Sequence, residues 1–249
     1  MRDVARLFPP LFRFVTEEIL RSRRLFFGGA LVAILVVQLA LIIGGSGQTA
    51  GVSGPLLMIG LWVIAAPFCR AWGEEDVRLG YAALWLQKPI KPWAFYLTRL
   101  LAVVSCSVVA TLVVVLAMVP IAALTPVAMR DLARLLTGVG WMPALLVVLS
   151  FLGSGLGASN GSLFAYAMLL AGLALPGLAD SFHLGPLLGA FEIVLPPAHA
   201  GLDAIRTVRD VGTAAGLGRL WPLVAYAVAC SALGLAMATR VPARLGRVG

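Results

Sequence analysis

Six stretches of the chain are apolar over about the length that a helix needs to cross a bilayer. They run roughly over 25–43, 55–72, 97–119, 142–158, 162–179 and 220–239. A crossing takes about 20 residues, and a helix pairs every backbone group within its own segment, as lipid requires. The fourth and fifth stretches are short and close together. Asn160 and Gly161 supply a turn between them, so the pair reads as a helical hairpin. Gly153, Gly157 and Gly161 fall at spacings of four around that turn, which suits close contact inside the hairpin.

Three other segments mix apolar and polar positions. In 1–24, Phe8, Phe12, Val15 and Ile19 share one helical face, while Arg13, Glu17, Arg21 and Arg24 share another. Pro9 and Pro10 suit a first turn. The pattern predicts an amphipathic helix over about 10–23, lying in the cytoplasmic interface with its arginines toward headgroups and Glu17 paired with Arg21. Segment 73–96 opens with Glu74-Glu75-Asp76, which favour a helix start. Tyr81, Leu84 and Trp85 then share a face, and Pro89 and Pro92 form a rigid corner into the next span. Segment 180–219 contains an apolar piece from Leu184 to Leu195 that is too short to cross. Pro196-Pro197 break it, and an amphipathic piece with Asp203 and Arg206 follows, so the segment reads as a helix pair dipping into the outer leaflet.

Composition agrees with this pattern. Hydrophobic residues make up 61% and charged residues 12% of the 249, and the mean hydropathy is +0.99. Soluble domains are nearer half apolar and a quarter charged. The net charge of +8 does not point to nucleic acid, because no basic run is interleaved with aromatics. Basic residues instead mark the sides of the membrane. With an inner N-terminus and six alternating spans, the inner segments hold 14 of the 19 basic residues and the outer ones 5, which places both termini in the cytoplasm. Cys69, Cys106 and Cys230 lie in or beside apolar runs, form no CxxC pair and read as small packing residues.

Catalytic chemistry has few candidates. A phosphate-binding loop needs GxxxxGK[ST], and the chain has no Gly-Lys pair. His183 and His199 are the only histidines; His199 and Asp203 are one turn apart but make no closed metal site. Arg70, Arg99 and Arg240 sit at inner span ends, from which they can snorkel. Glu192 is the exception, inside the apolar outer piece. An ion-coupled transporter needs ionisable groups or broken spans near the midplane.

Segment 73–99 resembles the type-2 ABC exporter permease family. An acidic cluster (Glu74, Glu75, Asp76) is followed by Gly80, by Leu84 and Leu86, by Pro89, by Trp93 or Phe95, and by Arg99 entering the third span. Tyr81 and Lys88 stand where that family often has threonine and serine. The run from Leu195 to Arg206 is similar to the family's proline-led amphipathic segment before the last span. The resemblance implies a permease working as a homodimer or with a related chain, each copy docked on a cytoplasmic ATP-binding subunit that holds ATP and Mg. The coupling helix would use Glu74, Glu75, Asp76, Gly80, Tyr81, Leu84, Trp85 and Pro89. An outer gate or path would use Glu192, Pro196, Pro197, His199 and Asp203.

The resulting expectation is an all-α polytopic membrane protein, one permease domain over 1–249. It has six transmembrane helices, an N-terminal interfacial helix and a re-entrant outer helix pair before the last span. It would be the non-catalytic, membrane-spanning subunit of an ATP-driven exporter, multi-pass in a bacterial cell (inner) membrane and in contact with membrane lipids. An ion-coupled secondary transporter and a non-transporting anchoring or assembly subunit are the alternatives. The topology has a direct check in a variant with the three native cysteines replaced by alanine. Arg78→Cys is expected to react with impermeant maleimide only from the cytoplasm, and Asp210→Cys only from outside. Reaction of both from one side would reject the six-span order.

Overall fold

The computed structural model describes residues 6, 8–10, 12–14, 16–17, 69, 91–122, 137, 140–158, 160–181, 194–198, 200–201, 203–204, 207 and 213–239. Its elements are α1 (Pro92–Ala122), α2 (Met142–Leu156), α3 (Gly161–Ser181), α4 (Thr213–Gly218) and α5 (Trp221–Ala238). Among the described residues there is no strand. The last four expected spans coincide with α1, α2, α3 and α5. The expected spans 25–43 and 55–72 lie outside the described residues, apart from Cys69, which is buried.

Two helical stretches, Pro92–Val113 of 22 residues and Ala215–Ala238 of 24, are long and apolar enough to cross a membrane. Helices α2 and α3 pass the same test only together, as a pair bent by 119° at the break between them. Apolar side chains stay exposed along both long helices, among them Val109, Leu112 and Leu116 on α1 and Val224, Val228 and Leu233 on α5. Water would penalise such faces, and hydrocarbon would not. These features are compatible with a membrane protein.

Helix α1 opens on Pro92, ahead of the expected start at 97. Proline is favoured there because the first helical N–H has no intrahelical partner anyway. The Lys91 carbonyl accepts from the N–H groups of Ala94 and Phe95 at 2.9 and 3.2 Å. Pro92 is therefore the first residue of a helix and not a corner before one. Arg99 lies two turns inside α1 and is 9% exposed, so it does not snorkel from a span end as its position suggested.

The N-terminal segment is helical wherever it is described, and Arg6 and Phe8 already belong to it, a turn earlier than expected. Phe8 stacks on Phe12 with ring centroids 5.6 Å apart. Phe8, Phe12 and Phe14 pack against the protein core, and the Thr16 hydroxyl lies 3.5 Å from the Cys106 sulfur of α1. The apolar face of this helix thus packs on the core, with Thr16 against α1. The exposed Arg13 takes the Glu17 carboxylate at 3.0 Å, one turn before the Arg21 partner that spacing suggested; Arg21 itself lies outside the described residues.

Helix α2 is the centre of the molecule. Apart from Ala144, every residue from Met142 to Ser154 is buried. It ends on Gly157, whose φ of 91° is the left-handed conformation that glycine adopts freely. Gly157 N–H donates to the Ser154 carbonyl at 3.1 Å, and Ala158 N–H to the Gly153 carbonyl at 2.9 Å, the paired bonds of a Schellman cap. Asn160 then caps α3, its Oδ1 accepting from Leu163 N–H at 3.1 Å. The turn foreseen at Asn160-Gly161 is thus built from a C-cap and an N-cap in immediate succession.

Glycines set how closely the neighbours approach α2. A Cβ on Gly153 would lie 2.5 Å from Phe164 of α3, and one on Gly161 2.7 Å from the Ser154 Oγ. These glycines work inside the hairpin, as their spacing suggested. A Cβ on Gly155 would lie 3.1 Å from the Met237 Cβ and 3.6 Å from the Gly234 Cα, both on α5. The C-terminal ends of α2 and α5 therefore meet, and their N-terminal halves line one groove together, so the two helices run parallel. Gly234→Ala would place a methyl 2.8 Å from Phe151. It is expected to cost about 1–3 kcal/mol in a detergent unfolding titration. Gly218→Ala, with nothing within 4 Å, is expected to leave stability unchanged or slightly raised.

Candidate functional site

The best-defined part of the candidate site is the outer segment. Val194 is helical, the backbone leaves the helix from Leu195 through Pro197, and Ala200, Gly201, Asp203, Ala204 and Thr207 are helical again. The break falls at Pro196-Pro197, as proline chemistry requires. Leu195, Pro196, Ala198, Ala200 and Ala204 are buried, so this piece is not a solvated loop. Asp203 projects outward from it. Glu192 and His199 lie outside the described residues, and so does the first half of the expected helix pair.

Two contacts fasten the break to the bundle. The Pro196 carbonyl sits where a Cβ on Gly172 of α3 would be only 2.6 Å away. Only a glycine permits that approach. From the other side, the Tyr226 hydroxyl of α5 donates to the Val194 carbonyl at 2.8 Å. That bond satisfies a carbonyl at the very place where the helix stops and its intrahelical partner is missing. Sequence reasoning missed both anchors. The signals were a phenol within an apolar span, whose hydroxyl needs a partner, and a glycine within a helix, which often marks a close backbone approach.

The coupling set fares differently. Glu74, Glu75, Asp76, Gly80, Tyr81, Leu84, Trp85 and Pro89 all lie outside the described residues. The chain is described again from the exposed Lys91, where it enters α1. Phe95 and Tyr96 follow, both buried and in edge contact at 5.3 Å. The start of α1 is thus embedded in the core, and displacement of Pro92 displaces packed side chains.

Polar groups inside the helices mostly satisfy themselves. Thr98 donates to the Ala94 carbonyl at 2.6 Å, Thr111 to Ser107 at 2.9 Å, Ser154 to Ser150 at 2.9 Å and Ser231 to Ala227 at 2.7 Å, each one turn back. Ser107 Oγ is buried without a partner. The three cysteines are free. Among the described residues no three His, Cys, Asp or Glu side chains gather as a metal site would need.

No family model matches the chain, and neither a curated protein nor a solved structure matches it. Assignment of function therefore rests on the residues and their geometry. The two anchors make a prediction of their own. In a background without the native cysteines, Ala198→Cys is expected to resist maleimide, since Ala198 is 1% exposed. Adding Gly172→Leu should expose it, because the Pro196 carbonyl is displaced. Tyr226→Phe should cost about 1 kcal/mol, the net worth of one hydrogen bond, and raise the reaction rate at that cysteine without abolishing membrane insertion. Unchanged rates in both variants would show that the segment is not held by these contacts.

Proposed function

We propose that the chain is the membrane-spanning subunit of an ATP-driven exporter. It crosses the membrane six times with both termini in the cytoplasm of a bacterial cell, and a separate subunit binds and hydrolyses ATP. The observation that carries this reading is a pair of elements suited to mechanical coupling. In the sequence, an acidic, aromatic segment leads through Pro89 into α1, which begins at Pro92 and buries Ala94, Phe95 and Tyr96 in its first turns. A proline-broken segment is pinned between α3 and α5. A push on 74–88 would reach α1 as a rigid displacement, and α2 would pass it to α3 and α5, which hold the outer segment.

The parallel order of α2 and α5 supports the six-span count. If α2 and α3 formed one broken crossing, α5 would start at the opposite face and run antiparallel to α2, unless 182–212 crossed as well. A hairpin, down α2 and back along α3, returns the chain to the side from which α2 started and gives the parallel order. The chain carries no phosphate-binding loop, which supports placing ATP and Mg in a partner. Glu192, His199 and Asp203 would line the outward path, and a second permease subunit would complete it.

The coupling helix carries the test. Interface energy concentrates in a few buried apolar and aromatic anchors, so Leu84→Ala with Trp85→Ala is expected to weaken docking of the ATPase by about 2–4 kcal/mol. Insertion should be unchanged. Reversing the charges of Glu74 and Glu75 should have a smaller, salt-sensitive effect. Co-purification and coupled ATPase activity read the outcome. A double variant that inserts, binds the ATPase at full strength and still transports would remove 74–88 as the coupling element. Gradient-driven transport by this chain alone in liposomes would instead establish the ion-coupled alternative.

A further inference from the structure

The N-terminal helix meets α1 deep in the bundle. The Thr16 hydroxyl donates to the Phe12 carbonyl at 2.7 Å. The Cys106 thiol, 3.5 Å from the Thr16 oxygen, is therefore the donor in the contact between the two helices. Cys106 is the fifteenth of the 31 residues of α1, about 21 Å from its start and about 24 Å from its end at the helical rise. It also lies about 10 Å inside Pro92–Val113, the stretch long and apolar enough to cross a membrane. A bilayer is about 30 Å thick across its hydrocarbon and about 40–45 Å with its headgroups. Thr16 is thus level with hydrocarbon and not with headgroups.

Two charges stand at that level. Arg13 and Glu17 lie within one turn of Thr16, with Arg13 Nε 3.0 Å from Glu17 Oε1 and the side chains 84% and 49% exposed. The guanidinium is folded back along its own helix toward Glu17, and is not extended away as a snorkelling arginine would be. Hydrocarbon against such a pair is costly, and ionisable residues at this depth face a bundle interior or water. Protein laid over it would strip the water from both charges, which is costly as well. The core is met by other side chains of this helix, Phe8, Phe12 and Phe14.

A second observation on α1 agrees. Ser107, next to Cys106, is buried, and its Oγ has no partner. The other buried hydroxyls of this helix, on Thr98 and Thr111, donate to the carbonyl one turn back. A buried hydroxyl that no protein atom satisfies is commonly met by an internal water. Both the exposed ion pair and the unpartnered serine therefore require water near the middle of α1.

We propose that a water-filled inlet runs along the N-terminal helix to the middle of α1, is lined by Arg13 and Glu17, and admits small charged solutes to that depth. The inlet rests on the chain lying in a membrane and not on its being an exporter. The full-length protein in nanodiscs, which expose both faces, is the test material, with no ATPase present. With Cys69 and Cys230 replaced by alanine, Thr16→Cys is a near-isosteric change and is expected to form a disulfide with the native Cys106 on mild oxidation. With all three native cysteines replaced, Arg13→Cys, Glu17→Cys and Val109→Cys are each treated with a methanethiosulfonate carrying a quaternary ammonium, a charged solute that hydrocarbon excludes. Val109, one turn from Cys106 and 53% exposed, is the control for an outward side chain at the same level. Positions 13 and 17 are expected to react at least about ten times faster than 109, since reaction there needs water and reaction at 109 needs the reagent in lipid. No disulfide between 16 and 106 would place the helix elsewhere and overturn the proposal. Reaction at 13 and 17 as slow as at 109 would show these positions covered by lipid or protein, and would overturn it too. Fast reaction at all three would put this level outside the bilayer, and would overturn both the inlet and the assignment of α1 as a span. Should one of the two ion-pair variants fail to assemble, the other carries the comparison.

Discussion

Close packing around α2 is the constraint on which the remaining structure depends. This helix is buried along almost its whole length, and α1, α3 and α5 all contact it. In hydrocarbon no hydrophobic force drives helices together, so van der Waals fit and small residues must do so. Gly153 and Gly161 bring α3 in, while Gly155 and Gly234 bring α5 in. A side chain at any of these four positions meets an atom within about 3 Å. The same closeness positions the outer segment, because α3 and α5, once fixed on α2, are the two helices that hold Val194 and Pro196.

From this packing follows a division between rigid and adjustable parts. Helix α1 enters the bundle buried, so what happens at Lys91 is felt by Phe95 and Tyr96. Among the described residues, the outer segment meets α3 by a close backbone approach and α5 by a hydrogen bond, and it buries Ala198 and Ala200 in the core. Thr98, Thr111, Ser154 and Ser231 on these helices bond to their own backbone one turn back.

Local features of the sequence proved readable where one physical rule governs them. Asn160 and Gly161 had to turn the chain, and they do so through paired caps. Pro196 and Pro197 had to break a helix, and they do. Pro92 was legible as a helix boundary but not as the first helical residue, since proline serves both roles. The amphipathic N-terminal pattern was legible as a helix, while its target was not: periodicity shows that Phe8 and Phe12 share a face, and cannot say whether lipid or the protein core meets it. Arg99 was misjudged for a related reason, because nearness to a span end says nothing of which neighbours cover a side chain. The anchors on Gly172 and Tyr226 join residues far apart in the chain, beyond the reach of any local pattern.

The account turns on α2 and α5 running parallel, with the chain returning across the membrane between them. A disulfide reports this most directly, because its Cβ atoms must lie about 3.5–4.5 Å apart. The Met237 Cβ is 3.1 Å from where the Cβ of residue 155 would be, so a shift of a few tenths of an ångström apart, which the new side chain itself would force, brings the pair into that range. In native membranes, and with Cys69, Cys106 and Cys230 replaced by alanine, Gly155→Cys with Met237→Cys is expected to form an intramolecular cross-link on mild oxidation. Met142→Cys with Met237→Cys, at opposite ends of a parallel pair, is expected to form none. A cross-link between 142 and 237 with none between 155 and 237 would mean an antiparallel pair and would contradict the account.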